Sequence, residues 1–258
     1  MRRRIKEVPG FEFPHKSLTI WRYMGLEKFL DLISSNRIRL TRASLLTDHR
    51  ELRLPLDKIE SEYYRSLRDP NPDERRESEN RSLIRQMEER VNALKEKTYV
   101  SCWTTGRHES YALWKIYLGG GKAGVAIKST VSSLLKAISP ELKRDIFLAR
   151  IKYPNEVKTK NLKDSYFVLT KSRQYEFESE LRMFCYSKAS DGILFENTPE
   201  LKVQLDSVTL AVNPTELIKE IYVSPFLSSN FRKTLENVIK KVNPEIGAKV
   251  VPSEIRDV

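Results

Sequence analysis

The segment LTIWRYMGLEKFLDLISSNRIRLT, residues 18–41, sets the beginning of the fold. Residues 18–23 are mainly β-branched and aromatic, which favours a strand. The next stretch predicts a short helix, closed by Asn36, because its apolar residues recur along one helix face. Residues 37–41 then alternate polar and apolar side chains, as in a half-buried strand. The segment therefore predicts a strand, a helix and a second strand in direct succession.

The rest of the chain predicts further strands and helices in an irregular order. Strands are expected at 99–103, 124–128, 146–153, 180–186, 207–212, 220–224 and 248–251. Helices are expected at 109–117, 131–138 and 231–242. Because the elements show no regular β-α-β repeat, we expect an α+β fold with a mixed, mainly antiparallel β core and flanking helices.

Residues 55–97 form the most highly charged part of the chain and interrupt this pattern. Asp69-Pro70-Asn71-Pro72 predicts a break within it. Beyond the break, apolar residues recur at helical spacing from Leu83 to Leu94, which indicates an amphipathic helix. We therefore expect a single domain, residues 1–258, with a helical insertion at about 55–97.

The chain is strongly basic, with 46 Lys and Arg against 35 Asp and Glu and a net charge of +11. Residues 57–97 are not the source, since they hold 10 basic and 11 acidic residues. The excess gathers in four clusters, at 2–6, 37–42, 143–163 and 232–241. Such a surface favours an anionic partner, a nucleotide or a nucleic acid, although a protein that is merely soluble and basic has the same composition.

Composition also excludes several classes of protein. No stretch approaches the roughly 18–20 consecutive apolar residues of a membrane span, so we expect no membrane insertion. The basic start lacks a following apolar stretch, and Cys102 and Cys185 lie far apart among apolar neighbours, which favours reduced thiols and a cytoplasmic location. Three histidines without a Cys-x-x-Cys motif predict no zinc site. The glycine-rich run at 119–124 follows a helix and precedes a strand, the wrong order for a phosphate loop.

The segment YEFESELRMFC, residues 175–185, carries the candidate catalytic residues. If it is a strand throughout, Glu176, Glu178 and Glu180 share one face at intervals of about 6.5–7 Å. Carboxylates in such a row repel one another and require cations, a metal or a raised pKa, as in general acid–base catalysis. A solvated strand face with basic neighbours, or a solvent-facing helix, explains the same pattern without a function.

Arg22 is the candidate binding residue in the first strand. It lies between two aromatic residues, where an arginine requires an anionic partner, either a protein carboxylate or a ligand phosphate. Ser101 lies between apolar residues of a later strand and faces either the core or a cleft. Tyr117 is a candidate for stacking on a ligand ring, although its helical spacing equally favours the core.

Taken together, these segments resemble a bacterial and archaeal family known as domain of unknown function 2971. The resemblance runs in order through most of the chain and rests on seven short pieces: 21–29, 39–43, 100–103, 109–117, 124–127, 178–182 and 221–225. The family usually has an Asp-Pro-x-Glu turn after the second strand, whereas this chain has Asp48-His49-Arg50-Glu51. The resemblance implies no activity.

A more distant resemblance, to ADP-ribosyltransferases of the Arg-Ser-Glu type, does imply an activity. It rests on the order of an arginine strand, a serine strand and a Glu-x-Glu strand, although this chain has Ser101-Cys102-Trp103 where a Ser-Thr-Ser run is usual. The resemblance implies an ADP-ribosyltransferase-like fold with NAD as the substrate. Arg22 would bind the pyrophosphate, Ser101 would support the nicotinamide site, Glu180 would stabilise the oxocarbenium-like sugar, and Glu178 would activate the acceptor.

Three functions therefore stay open from the sequence. The first is an NAD-dependent transferase or glycohydrolase, an intracellular toxin or a phage-defence effector. The second is a non-catalytic protein that binds a nucleotide or nucleic acid through its basic surface. The third is a metal-dependent nuclease in which Asp48, Glu176, Glu178 and Glu180 hold magnesium.

Overall fold

A computed structural model describes residues 5–46, 52, 74–141, 144–154, 163–187, 192–195 and 198–255; for 74–81, 83, 192–195 and 198–204 it describes the backbone alone. The strands are β1 Ile5–Lys6, β2 Thr19–Gly25, β3 Arg37–Arg42, β4 Thr98–Thr105, β5 Gly124–Thr130, β6 Ile146–Arg150, β7 Glu180–Tyr186, β8 Gly192–Phe195, β9 Thr198–Gln204, β10 Ser207–Ala211, β11 Glu220–Val223 and β12 Val250–Val251. The helices are α1 Leu26–Ser35, α2 Glu74–Lys97, α3 Tyr111–Leu118, α4 Val131–Ala137, α5 Asp164–Val168, α6 Pro214–Leu217, α7 Ser229–Val242 and α8 Pro244–Gly247. Within these ranges, no helix has the length and apolar character needed to span a membrane.

Ten of the strands form one mixed sheet, and β8 pairs with β9 in a separate ribbon. The main path of the sheet runs β1-β6-β7-β4-β2-β5-β11-β12. Its pairs are antiparallel except β1 with β6 and β11 with β12. The expected α+β class with a mixed, mainly antiparallel β core and flanking helices is confirmed.

The sheet divides at β4, and this division positions the candidate site. On one edge β4 pairs with β7 along its whole length. On its other edge Tyr99 and Val100 pair with β3, whereas Thr104 and Thr105 pair with β2. The two partner strands therefore diverge from a shared edge, and we call the gap between them the fork. Helix α1 connects β2 to β3 across this gap.

The two faces of the sheet bury different cores. Face 1, marked by Ile20, Trp103 and Leu181, carries the largest cluster of buried apolar side chains, which α1, α4 and α7 cover. Face 2 carries two smaller clusters, one around Trp21 and Trp114 and one around Phe184. Successive side chains of a strand point to opposite faces, so this assignment fixes the face of each site residue.

Local sequence explains where several elements begin and end. Helix α1 ends at Asn36, which adopts a left-handed backbone with φ 54°, and asparagine tolerates that conformation better than most residues. Helix α3 begins at Ser110, whose hydroxyl accepts a hydrogen bond from the Leu113 amide, and ends at Gly119 with φ 55°. These are the boundaries that the sequence predicts to within about two residues.

The expected insertion is described only in part. Helix α2 confirms the predicted amphipathic helix, since Val91 and Leu94 are buried against face 2. Residues 55–73, including the Asp69–Pro72 break, lie outside the described residues.

The strand predicted at 180–186 is confirmed, but the interpretation of residues 175–185 as a strand throughout is wrong. Residues Arg173–Glu178 form a 3₁₀ turn, and Ser179 has a left-handed backbone with φ 43°. Strand β7 begins only at Glu180. Glu176, Glu178 and Glu180 therefore do not form a row along one strand face, because the turn reorients the chain before the strand begins.

Candidate functional site

A basic groove occupies the fork between β2 and β3. It encloses about 420 Å³, including its open mouth. The strands β2 and β3 form its two sides and α1 closes its end. Its lining residues are Arg22, Met24, Lys28, Asp31, Leu32, Arg37, Ile38, Arg39 and Thr41. Four cationic side chains and one carboxylate line this space, so the groove carries a net positive charge.

Arg22 lies at the point where the two strands separate. Its guanidinium lies over the Trp103 ring, 5.6 Å from the ring centroid, which is a favourable cation–π distance. Its Nη2 donates a hydrogen bond to the Arg39 carbonyl, long at 3.4 Å. Among the described residues, no carboxylate lies within ion-pair distance of Arg22. A guanidinium has five N–H donors, so most of those of Arg22 are open to a ligand or to water.

The surroundings of Arg22 include two side chains from outside the groove lining. Burial lowers the pKa of Arg22, while the nearby Cys102 and Tyr117 side chains, which are negative when deprotonated, raise it. An arginine keeps its proton at neutral pH even so. The site therefore holds a partly buried, permanently charged donor.

Ser101 and Trp103 lie on β4 beside the fork and share face 1 with Arg22. The hydroxyl of Ser101 and the indole Nε1 of Trp103 are buried and make no hydrogen bond to the described part of the chain. An unsatisfied buried polar group costs about 1–3 kcal/mol. The predicted site residues Arg22 and Ser101 are thus on the same side of the sheet, and Ser101 is buried rather than exposed in the groove.

The charge of the groove is only partly neutralised within the protein. Arg39 Nη2 lies 3.1 Å from Asp31 Oδ2. Among the described residues, neither Lys28 nor Arg37 has a carboxylate within ion-pair distance. The groove therefore favours an anion.

Glu178 and Glu180, the predicted catalytic residues, belong to a buried ion network on face 2. Glu180 Oε1 accepts a hydrogen bond from Arg182 Nε at 2.7 Å and lies 2.7 Å from Arg182 Nη2. Arg182 Nη1 donates to the Val168 carbonyl at 2.8 Å. Lys171 Nζ lies 2.8 Å from Glu178 Oε2 and 3.6 Å from Glu180 Oε2. Two carboxylates and two cations meet there, so the network is electrically balanced.

The network is closed to solvent. The side chains of Glu180 and Arg182 are 2% and 1% exposed. The Tyr153 hydroxyl accepts a hydrogen bond from the Glu180 amide, and burial raises the pKa of Tyr153 to about 12. Glu180 Oε2 is buried and makes no hydrogen bond to the described residues, and its nearest cation is Lys171 Nζ at 3.6 Å.

The structure does not bring the predicted Arg-Ser-Glu set into one cleft. Strand alternation places Arg22 and Ser101 on face 1, and Glu180 on face 2 beside Thr104, its partner on β4. Tyr117 stacks on Tyr23 of face 2, with ring centroids 6.2 Å apart, and is 40% exposed rather than part of the core. The sheet therefore separates the predicted binding residues from the predicted catalytic ones.

The acidic residues expected to hold magnesium do not meet in the described residues. Glu176 is paired with Arg173 at 3.6 Å on the surface of the 3₁₀ turn. Among the described side chains, no group of three or more His, Cys, Asp or Glu is placed to hold a metal ion. Asp48 lies outside the described residues.

Sequence reasoning missed the groove and Lys171, one of the two cations of the ion network. Lys28 and Asp31 belong to no recognisable motif, and Lys171 is a lone lysine. The alternating arginines of β3 were the one available signal, since Arg37 and Arg39 share a strand face in a basic cluster. No protein-family model, curated protein or solved structure matches this chain.

Proposed function

We propose that the fork groove binds the phosphate group of a nucleotide or nucleic acid, and that Arg22 is its central ligand-binding residue. The observation that carries the proposal is the arginine in the strand whose guanidinium has no carboxylate partner among the described residues. A guanidinium presents paired N–H donors that match two phosphate oxygens. Lys28, Arg37 and Arg39 add positive charge around the same space.

The test is a calorimetric titration with inorganic pyrophosphate and with adenosine monophosphate. Arg22→Met keeps most of the side-chain volume and removes the charge. Hydrogen bonds to charged groups contribute about 1.5–3 kcal/mol, so this variant should bind about 10- to 100-fold more weakly. Arg22→Lys should bind with intermediate affinity, because lysine keeps the charge and loses the paired donors.

Arg150→Met is the matched control. Arg150 is also a strand arginine, 39% exposed, with Glu12 at 3.7 Å, and it does not line the groove. It should bind both probes like the parent protein. Equal affinity of Arg22→Met and the parent protein for both probes would contradict the proposal.

A second candidate function is an NAD-dependent ADP-ribosyltransferase-like or NAD glycohydrolase activity, with an ADP-ribosyltransferase-like fold. The observation that favours it is Glu180 Oε2, which makes no hydrogen bond to the described residues and lies 3.6 Å from Lys171 Nζ. A ribose hydroxyl would donate to it once the buried network opens, because the side chain is 2% exposed. Arg22 and Glu180 project from opposite faces, so this activity requires the ligand to pass through the fork. The sequence resemblance to domain of unknown function 2971 stays a prediction.

Nicotinamide release distinguishes the two candidates. The parent protein and Glu180→Gln are incubated with NAD, with and without RNA, DNA and cell extract, and free nicotinamide is followed by mass spectrometry. Release by the parent protein alone supports the enzyme. Absence of release in every mixture, with Arg22-dependent phosphate binding intact, leaves the binding function alone.

A further inference from the structure

The strand pair β3–β10 presents two arginines in the same orientation beside the fork groove. Arg37 Nη1 donates to Thr209 Oγ1 at 3.3 Å, and Arg39 Nη1 donates to Ser207 Oγ at 2.9 Å. The register places Arg39 opposite Thr209, so both contacts cross the strand pair along the same diagonal. Arg37 and Arg39 share a strand face, about 6.5 Å apart along β3.

Their hydrogen-bond partners on β10 are hydroxyl groups, which orient the guanidinium groups without neutralising them. The opposite end of β3 differs, because Arg42 lies 2.8 Å from Glu96 and 2.9 Å from Asp206. Arg39 also lies 3.1 Å from Asp31, so at the groove end of β3 it is the exposed Arg37 that has no carboxylate within ion-pair distance among the described residues.

Arg22 and Arg39 are joined through the Arg39 carbonyl, to which Arg22 donates. Arg22 from face 1, and Arg39 and Arg37 from the opposite face of β3, line the same groove. We call these three arginines, from the partly buried Arg22 to the exposed Arg37, the row. A mononucleotide has phosphate at one end only and would occupy the inner part of the groove beside Arg22, which we call the floor. A polymer with regularly spaced phosphates contacts the whole row.

Resting on the proposed function, we propose that the ligand is a single-stranded nucleic acid. One phosphate binds Arg22 in the fork and neighbouring phosphates bind Arg39 and Arg37. Single strands fit because a flexible single-strand backbone can enter a narrow fork between two strands, whereas a duplex is stiff over many base pairs and cannot bend one strand into it. The basic row supplies affinity without base recognition, as in proteins that bind single strands through a charged track.

The experiment measures fluorescence anisotropy of short labelled oligothymidylate and oligouridylate over a range of salt concentrations. Each phosphate contact contributes about −0.7 to the slope of log Kobs against log salt concentration. Arg37→Met should reduce the magnitude of this slope by about 0.7 and weaken oligonucleotide binding a few-fold. Its affinity for pyrophosphate should fall less than its affinity for the oligonucleotide, because Arg22 is the main contact of the smaller ligand and Arg37 only adds charge nearby.

Two further variants separate charge from position. Thr209→Val removes the hydroxyl that orients Arg37 and keeps every charge, so it should weaken oligonucleotide binding with an unchanged salt slope. Arg150→Met, which removes a charge away from the row, should change neither quantity.

Three results would overturn the inference. Duplex DNA or polyglutamate binding as tightly as the single strand would show that the row recognises any polyanion. Pyrophosphate binding that depends on Arg22, with no tighter binding of oligonucleotides or no effect of Arg37→Met, would overturn the nucleic acid and leave the proposed function standing. If the parent protein binds neither oligonucleotides nor pyrophosphate, both this inference and the proposed function are contradicted.

Discussion

Two arginines on strands that flank β4 lie in opposite environments. Arg182 on β7 is 1% exposed and is held by Glu180 at 2.7 Å and by the Val168 carbonyl. Arg22 on β2 has one long hydrogen bond, to a carbonyl, and a ring contact among the described residues. Burying a charge is costly unless it is paired. The fold supplies a carboxylate to Arg182 but none to Arg22 among the described residues, so packing alone accounts for the presence of Arg182 and not for that of Arg22. A cation that the fold does not require is the better marker of a ligand.

Among the variants that test this comparison, Arg182→Met should lower the free energy of unfolding most. It leaves Glu180 buried without its main partner, and breaking a buried pair on one side costs about 3–5 kcal/mol. Urea unfolding should show this loss. Replacing both partners, Glu180→Gln with Arg182→Met, should recover part of it, because neither charge is then left alone. A double variant that is less stable than Arg182→Met would contradict the assignment.

Glu180→Gln should destabilise the protein somewhat less than Arg182→Met does, because the amide oxygen still accepts from Arg182 while the buried guanidinium loses its opposite charge. The ion pair between Lys171 and Glu178, 2.8 Å apart, stays intact in this variant and limits the loss of stability. Pyrophosphate binding, measured by calorimetry, should be unchanged. A matching loss of affinity would show that the buried network and the fork form one site.

Arg22→Met should change the free energy of unfolding by less than about 1 kcal/mol, since no ion pair is broken among the described residues. The measurement is the same urea unfolding as for Arg182→Met. A destabilisation comparable to that of Arg182→Met would break the comparison and make Arg22 a structural residue.

The partly exposed pair of Lys128 and Glu220, 3.0 Å apart, should have the smallest effect. Burial alone raises the pKa of Glu220, but hydrogen bonds from Tyr222 and Lys128 outweigh it and leave this pKa lowered. The ionised carboxylate therefore stabilises the fold above the pKa of the unfolded chain, and this contribution is lost as pH falls through the folded value.

Glu220→Gln should flatten the acid side of the stability profile and change stability at neutral pH by about 1 kcal/mol or less. Thermal unfolding at a series of pH values measures it. An unchanged acid profile would contradict the lowered pKa.

The sequence predicted the elements better than their assembly. Periodicity located β2, α1 and β3 because local apolar spacing determines them. The fork was not predictable, since two strands sharing one edge of β4 is a long-range pairing. The predicted row of glutamates is wrong because side chains alternate between faces only along an extended backbone. The left-handed backbone of Ser179 interrupts the extended chain before Glu180. Arg22 was recognised from its apolar neighbours, whereas Lys171 reaches Glu178 and Glu180 only because the 3₁₀ turn at Arg173–Glu178 reverses the chain between them.

The central claim is that Arg22 serves a ligand and not the fold. The most direct test is the unfolding temperature of the parent protein and Arg22→Met, each with and without saturating pyrophosphate. A ligand that binds the folded state raises the unfolding temperature. The account predicts closely similar temperatures without pyrophosphate and, with it, a clearly larger rise for the parent protein than for Arg22→Met. An equal rise in both proteins, or an Arg22→Met protein that unfolds well below the parent without pyrophosphate, would contradict it.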